Sequence, residues 1–211
     1  MDLEQIRKEA KKFFVNTKGS HDWEHTERVY ALCLRIGKKE KANLEVLKLS
    51  ALLHDIGRKE ETKSRGKVCH AEKGAVLAKS ILEKYELDGE LIEQIVQCIS
   101  THRFRGGKIP QLKEAKILFD ADKLDSIGAI GVGRVFLFAG EIGAKLYNKD
   151  FNVENSQLYS KEDTAYREYV FKLRNIKRRM FTAEGKRIAK ERHQFIVTFF
   201  ARLKKEAKGI L

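Results

Sequence analysis

Leu49-Ser-Ala-Leu-Leu-His54-Asp55-Ile-Gly-Arg58 is an apolar run that closes on an adjacent imidazole and carboxylate. Residues 43–56 are rich in apolar side chains and predict a largely buried helix, with Gly57 as its C-cap. An imidazole and a carboxylate at the buried end of such a helix are costly unless something satisfies both. A divalent metal does so, because it accepts neutral imidazole nitrogen and carboxylate oxygen together. A His-Asp pair alone is weak evidence, so the surrounding chain has to decide.

Upstream stands His21-Asp-Trp-Glu-His25-Thr-Glu-Arg28-Val29, at the start of a predicted helix. Downstream come Cys69-His70-Ala-Glu-Lys-Gly74-Ala75 and Ser100-Thr-His102-Arg103. These are followed by Phe119-Asp120-Ala-Asp122-Lys-Leu-Asp125-Ser-Ile-Gly128. Five of the six histidines lie in the first half, each near a predicted helix terminus. Single histidines are commonly ordinary core or surface residues; the ordered set His25, His54-Asp55, Asp122 is far more specific.

That order resembles the HD superfamily of metal-dependent phosphohydrolases. The fragments His25-Thr-Glu-Arg28-Val29, Leu53-His-Asp-Ile-Gly57, His70-Ala-Glu-Lys-Gly-Ala75 and Asp120-Ala-Asp-Lys-Leu-Asp125 look like one bacterial and archaeal branch of it. So do Lys172-Leu173, Met180-Phe-Thr182 and Arg192-His193-Gln-Phe195, which extends the resemblance over nearly the whole chain. The resemblance implies a metal held by His25, His54, Asp55 and Asp122, with Asp122 preferred over Asp120 because it directly precedes Lys-Leu. It also implies that His54 and Asp55 take part in catalysis through a metal-activated water, in a branch with members that act on nucleoside triphosphates. Nucleotide hydrolysis, to monophosphate and pyrophosphate or at another phosphoester, is the expected reaction.

Asp125, one helical turn beyond Asp122, is a catalytic candidate or alternatively a helix-capping carboxylate. His70 and His102 occupy the interval where dinuclear members place two further histidines, so they are candidates for a second metal or for substrate phosphate. His21, Arg28, Arg58, Lys59, Lys123 and Arg134 lie close in sequence to the motifs and are candidate phosphate contacts, each also readable as a solvated or ion-paired group. The guanosine-tetraphosphate hydrolases of the superfamily carry Glu-Asp where this chain has Arg58-Lys59, which disfavours that activity. The donor set suits Mn, Co, Ni, Fe or Zn, and Mg less readily.

A basic excess of +13 over 211 residues fits an anionic substrate, but the Lys and Arg residues are spread along the chain. No nucleic-acid motif accompanies them, so a nucleic-acid partner is disfavoured and a small phosphorylated molecule expected. The same ligand order also occurs in di-iron oxygenases of the superfamily. A basic binding module with a structural metal is the remaining alternative.

Most of the sequence reads as helix at the 3.6-residue period, with one proline and no convincing strand pair. The expectation is an all-α single HD-domain bundle over 1–211, with its metal in an interhelical cleft. Its core motifs fall at 21–135 and a C-terminal helical portion at about 159–208. Glu60–Val68 and Tyr147–Ser156 read as loops, the first as part of a lid or a plain surface connection. No apolar run reaches the roughly eighteen residues of a membrane span. The opening residues carry no signal pattern, and Cys33, Cys69 and Cys98 are odd in number and show no CxxC spacing. A cytoplasmic location is therefore expected, and the oligomeric state is left open.

Overall fold

Helix formation follows the polar signals that bracket each apolar stripe. In a computed structural model describing residues 2–15, 22–64, 66–103 and 108–211, Asp22 caps α2 (Trp23–Glu40) by accepting from the His25 backbone N–H. Asn43 caps α3 (Leu44–Leu53) by accepting from Glu45 and Val46. Asp88 does the same for α6 (Gly89–Thr101). Each cap satisfies backbone donors that have no partner inside the helix. α1 (Leu3–Lys12), α4 (Arg58–Lys63), α5 (His70–Glu83) and α7 (Lys113–Leu124) complete the N-terminal part. α8 (Gly128–Glu141), α9 (Ala165–Phe171) and α10 (Ala183–Glu206) follow, with 3-10 turns at Lys149–Phe151 and Leu173–Arg179. The protein is all-helical, with no strand among the described residues.

The chain divides into two compact units. The first comprises Met1–Asp122 with Phe181–Glu184 and the second Lys123–Met180 with Gly185–Leu211. In the first, α3 is the central element and packs against α1, α2 and α6, while α5 packs against α6. Val46, Leu47, Leu49, Ala51, Leu52 and Leu53 are all buried, and the polar Glu45 and Lys48 lie in the first half of α3. In the second unit, α8 packs on α9, and Tyr169 stacks on Phe200 with ring centroids 4.4 Å apart. Most of the C-terminal helical portion expected at about 159–208 lies in this unit, which begins at Lys123, whereas Phe181–Glu184 lies in the first. No helix among the described residues is long and apolar enough to cross a membrane.

Two local expectations are corrected. α3 ends at Leu53 rather than 56, and Gly57 has φ −86°, so it is not a left-handed C-cap. Glycine is required there by close approach: a Cβ would lie 2.3 Å from the His70 carbonyl oxygen and 2.7 Å from the Gly74 nitrogen. The start of the segment read as a loop, Glu60–Val68, instead continues a short helix begun at Arg58. Its i,i+3 pair of Arg58 and Glu61 is ion-paired, and the Ser64 hydroxyl accepts from the Val68 N–H beyond its end.

Gly57→Ala should therefore force backbone apart where α5 begins, lowering stability by about 1–3 kcal/mol. Urea unfolding of the variant checks this, and an unchanged midpoint would contradict the close-approach account.

Candidate metal centre

Every candidate ligand falls at a helix end or on a buried helix face of the first unit. His54 follows the last residue of α3, and its Nδ1–H donates to the Ala51 carbonyl at 2.8 Å. His102 follows α6 in the same way, with Nδ1 2.6 Å from the Ile99 carbonyl. A ring whose Nδ1 carries the proton presents a bare Nε2 lone pair, the form a metal takes up. His25 lies in the first turn of α2, His70 opens α5, and Asp122 lies near the end of α7. All six candidates, Asp55 included, are buried, the most exposed being Asp122 at 4%.

The side chains converge in two adjoining groups. His25, His54 and Asp122 form one, and Asp55, His70 and His102 the other. Asp55 joins them through its two oxygens. Its Oδ2 lies 3.7 Å from both His25 Nε2 and His54 Nε2. Its Oδ1 lies 3.6 Å from His70 Nε2 and 3.4 Å from His102 Nε2. Within the first group, His25 Nε2 is 3.4 Å from Asp122 Oδ1 and 3.4 Å from His54 Nε2.

These residues fit divalent ions. The separations exceed the usual 2.7–3.2 Å of an N–H···O bond. They approach the roughly 3.0–3.4 Å expected between two donors that each stand about 2.1 Å from one ion at octahedral or tetrahedral angles. His70 Nε2 and His102 Nε2 are buried and make no hydrogen bond among the described residues, although water would normally satisfy such atoms. Two imidazoles per group with carboxylate between them suit Mn, Fe, Co, Ni or Zn better than Mg.

The acid–base state agrees. Burial pulls the His54 imidazole down to about 4, despite the opposing charge of Asp55. Burial likewise takes His70 down to about 4, against its hydrogen bond with Glu61. Both are neutral near pH 7 and ready to ligate without first losing a proton. For Glu61, burial acts upward, but hydrogen bonding to His70 and the charges of His70, Arg58 and Arg103 outweigh it and bring the carboxyl to about 2.

The remaining candidates have varied surroundings. Arg58 Nε is 3.1 Å from Asp55 Oδ2, and its Nη1 is 2.9 Å from Glu61 Oε2, so it borders the ligand set as an ion-paired group. Lys59 donates from Nζ to the Val15 carbonyl at 2.7 Å. Arg28 lies one turn beyond His25 on α2. Lys123, Asp125 and Arg134 belong to the second unit, where Arg134 Nη1 holds Asp125 Oδ2 at 2.8 Å and its carbonyl at 3.2 Å. His21 lies outside the described residues. Asp120 and Asp122 point about 200° apart around α7 at 100° per residue. Asp120 accepts from the Phe181 N–H, the Thr182 N–H and the Thr182 hydroxyl, which tie the chain just before α10 to α7.

Sequence reasoning missed Glu61 and Arg103. Glu61 Oε2 is 2.9 Å from His70 Nδ1, and its Oε1 is 3.0 Å from Arg103 Nη2. The available signal was the Arg58–Glu61 spacing of three residues directly after the His-Asp pair, which a loop reading of 60–68 hides.

With metal removed by chelator, stability should fall as the pH drops from 6.5 toward 4. Folded His54 and His70 stay neutral down to about 4, whereas the unfolded chain protonates near 6.5 and so takes up protons first. Glu61 adds no loss above 4.5, because its stabilising charge is lost only as the pH falls from 4.5 toward 2. Thermal-unfolding midpoints at pH 7 and 5 test this; equal midpoints would contradict buried neutral imidazoles.

Residues 22–127 match the HD domain family. The protein YpgQ of Bacillus subtilis is 32% identical over 98% of this chain and 94% of its own length. Its crystal structure in complex with ADP superposes with a TM-score of 0.76 at 28% identity, covering both chains completely. A structure from an uncultured Thermotogales bacterium, described as a predicted HD superfamily hydrolase, has a TM-score of 0.68 at 27% identity, over 97% of this chain and 92% of that one. With its paired His-Asp at the meeting point of two buried groups of histidines and carboxylates and a family match across half its length, this chain belongs to the HD domain family.

Proposed function

We propose that this protein is a divalent-metal-dependent phosphohydrolase acting on nucleotides, converting a nucleoside triphosphate to monophosphate and pyrophosphate or cleaving a related phosphoester. One observation carries the reading: Asp55 sets one carboxylate oxygen toward each of two buried, histidine-rich groups. The ADP complex of YpgQ, a relative over nearly the full length, supports a nucleotide ligand.

His25, His54, Asp55 and Asp122 hold the first ion, and Asp55, His70 and His102 a second. Such an ion, when bound, lowers the pKa of a water and polarises a phosphoryl oxygen. The protein side chains set the geometry. The Ala51 and Ile99 carbonyls fix the ring orientation of His54 and His102. Burial excludes bulk water from around the ligands, which strengthens each electrostatic contact. Arg58, with a fifth of its side chain exposed, is a candidate phosphate contact directly beside Asp55. Its guanidinium suits two oxygens of one phosphate. Asp125, held by Arg134, is the further catalytic carboxylate of this reading; His21, Arg28, Lys59 and Lys123 are its other phosphate candidates. A small phosphorylated molecule is the partner, and manganese the first metal to test.

A second reading has one observation in its favour. His25, His54-Asp55, His70, His102 and Asp122 converge in the order used by di-iron oxygenases of the superfamily. Phosphohydrolase is preferred because of the Asp120-Ala-Asp-Lys-Leu-Asp125 stretch and the similarity to YpgQ along the chain.

Phosphorus NMR of a nucleotide panel with Mn(II) tests the main reading. Wild type should release pyrophosphate or phosphate. Asp55→Ala should lower turnover more than about 100-fold, because losing even an outer partner of a ligand costs 10–100-fold. No turnover of any nucleotide by metal-loaded protein would overturn the nucleotide reading. Oxygen uptake by iron-loaded protein, with a small organic substrate consumed, would favour the oxygenase.

A further inference from the structure

Arg58, Glu61, His70 and Asp55 close a ring of four side chains. Arg58 Nε meets Asp55 Oδ2 at 3.1 Å, and Arg58 Nη1 meets Glu61 Oε2 at 2.9 Å. Glu61 Oε2 meets His70 Nδ1 at 2.9 Å, and His70 Nε2 faces Asp55 Oδ1 at 3.6 Å. Arg103 Nη2 anchors the other carboxylate oxygen at 3.0 Å. His54 and His102 instead set Nδ1 against a main-chain carbonyl from their own helix. His70 opens its helix and has no preceding turn to offer one, so a side chain does the same task.

We infer that Glu61 is the positioning residue for the Asp55–His70–His102 half of the centre, fixing His70 with its proton on Nδ1 and so making that half competent for an ion. The neighbours of His70 Nδ1 decide its tautomer. Two groups approach His70 Nδ1: the Glu61 oxygen at 2.9 Å and Arg58 Nη1 at 3.2 Å. A bare Nδ1 would set its lone pair against a carboxylate oxygen at the closer distance, which is repulsive. A protonated Nδ1 donates to that oxygen, and Arg58 then donates to the same carboxylate. The bare Nε2 is left facing Asp55 Oδ1, buried and without a hydrogen bond among the described residues. Arg58 and Arg103 hold Glu61 in place from either side. Glu61 touches His70, a member of the Asp55–His70–His102 group, directly, so its effect falls chiefly on that half.

This inference rests on the two-ion reading above, and its test separates the two. Mn(II) binding to wild type, Glu61→Ala and Glu61→Gln is measured by equilibrium dialysis with elemental analysis. The ring nitrogens of His70 are followed by ¹⁵N NMR in metal-free protein. Wild type should bind two ions and show His70 protonated on Nδ1. Glu61→Ala should keep one ion at wild-type affinity, bind the other about 10–100-fold more weakly, and shift His70 toward the Nε2-protonated form. Glu61→Gln retains an acceptor oxygen and should preserve the tautomer and most of the affinity. One ion in wild type would overturn both the two-ion reading and the inference. Two ions in wild type, with neither affinity nor tautomer altered in Glu61→Ala, would overturn the inference alone. Equal weakening of both ions would also overturn it, since that is what general loosening of the fold predicts.

Discussion

A carboxylate buried at the end of an apolar helix organises this structure. Asp55 is 1% exposed and lies beyond α3, whose side chains are buried along most of its length. An isolated charge there would be prohibitive, so it must be compensated by cations or donors. Arg58 supplies one, and four imidazoles are set around the two oxygens. The neutral state of His54 and His70 at ordinary pH means that these rings do not themselves neutralise the carboxylate. With it they form two groups that could hold divalent cations. The helices of the first unit serve that arrangement: α2, α5, α6 and α7 each deliver one or two of the residues that meet Asp55 or its partners.

A common local device recurs. A histidine just past a helix C-terminus turns its Nδ1 to the carbonyl three residues back, as His54 does to Ala51 and His102 to Ile99. The contact gives a carbonyl of the last helical turn a side-chain donor, and it fixes the orientation of the ring. Fold stability and site geometry therefore draw on the same hydrogen bonds. Asp120 shows the complementary economy. It uses its carboxylate to satisfy donors before α10, while Asp122, two residues on and on the other side of α7, faces the histidines.

The residues that converge at the candidate site stood out in the sequence because each lies in a distinctive local setting. His54-Asp55 closes an apolar run, His25 follows an Asp cap, and Asp122 precedes Lys-Leu in a recognisable stretch. The all-helical class was legible from the 3.6-residue period. Less legible was anything set by tertiary approach. The role of Gly57 depends on His70 and Gly74 passing within contact distance, which no local pattern announces. The short α4 was hidden because six charged or polar residues carry no apolar stripe. Glu61 was missed for the same reason: its partner His70 is nine residues away and its second anchor Arg103 lies forty-two residues on. The pairing of Arg134 with Asp125 was also unread, although both residues were singled out.

The central claim is that one carboxylate, Asp55, joins two metal-binding groups. Crystals grown with Mn(II) and measured for anomalous scattering at the manganese edge test it most directly. The account predicts two anomalous peaks, one among His25, His54 and Asp122 and the other among His70 and His102, with Asp55 contributing one oxygen to each. A single peak, or two peaks of which one lies away from Asp55, would contradict it.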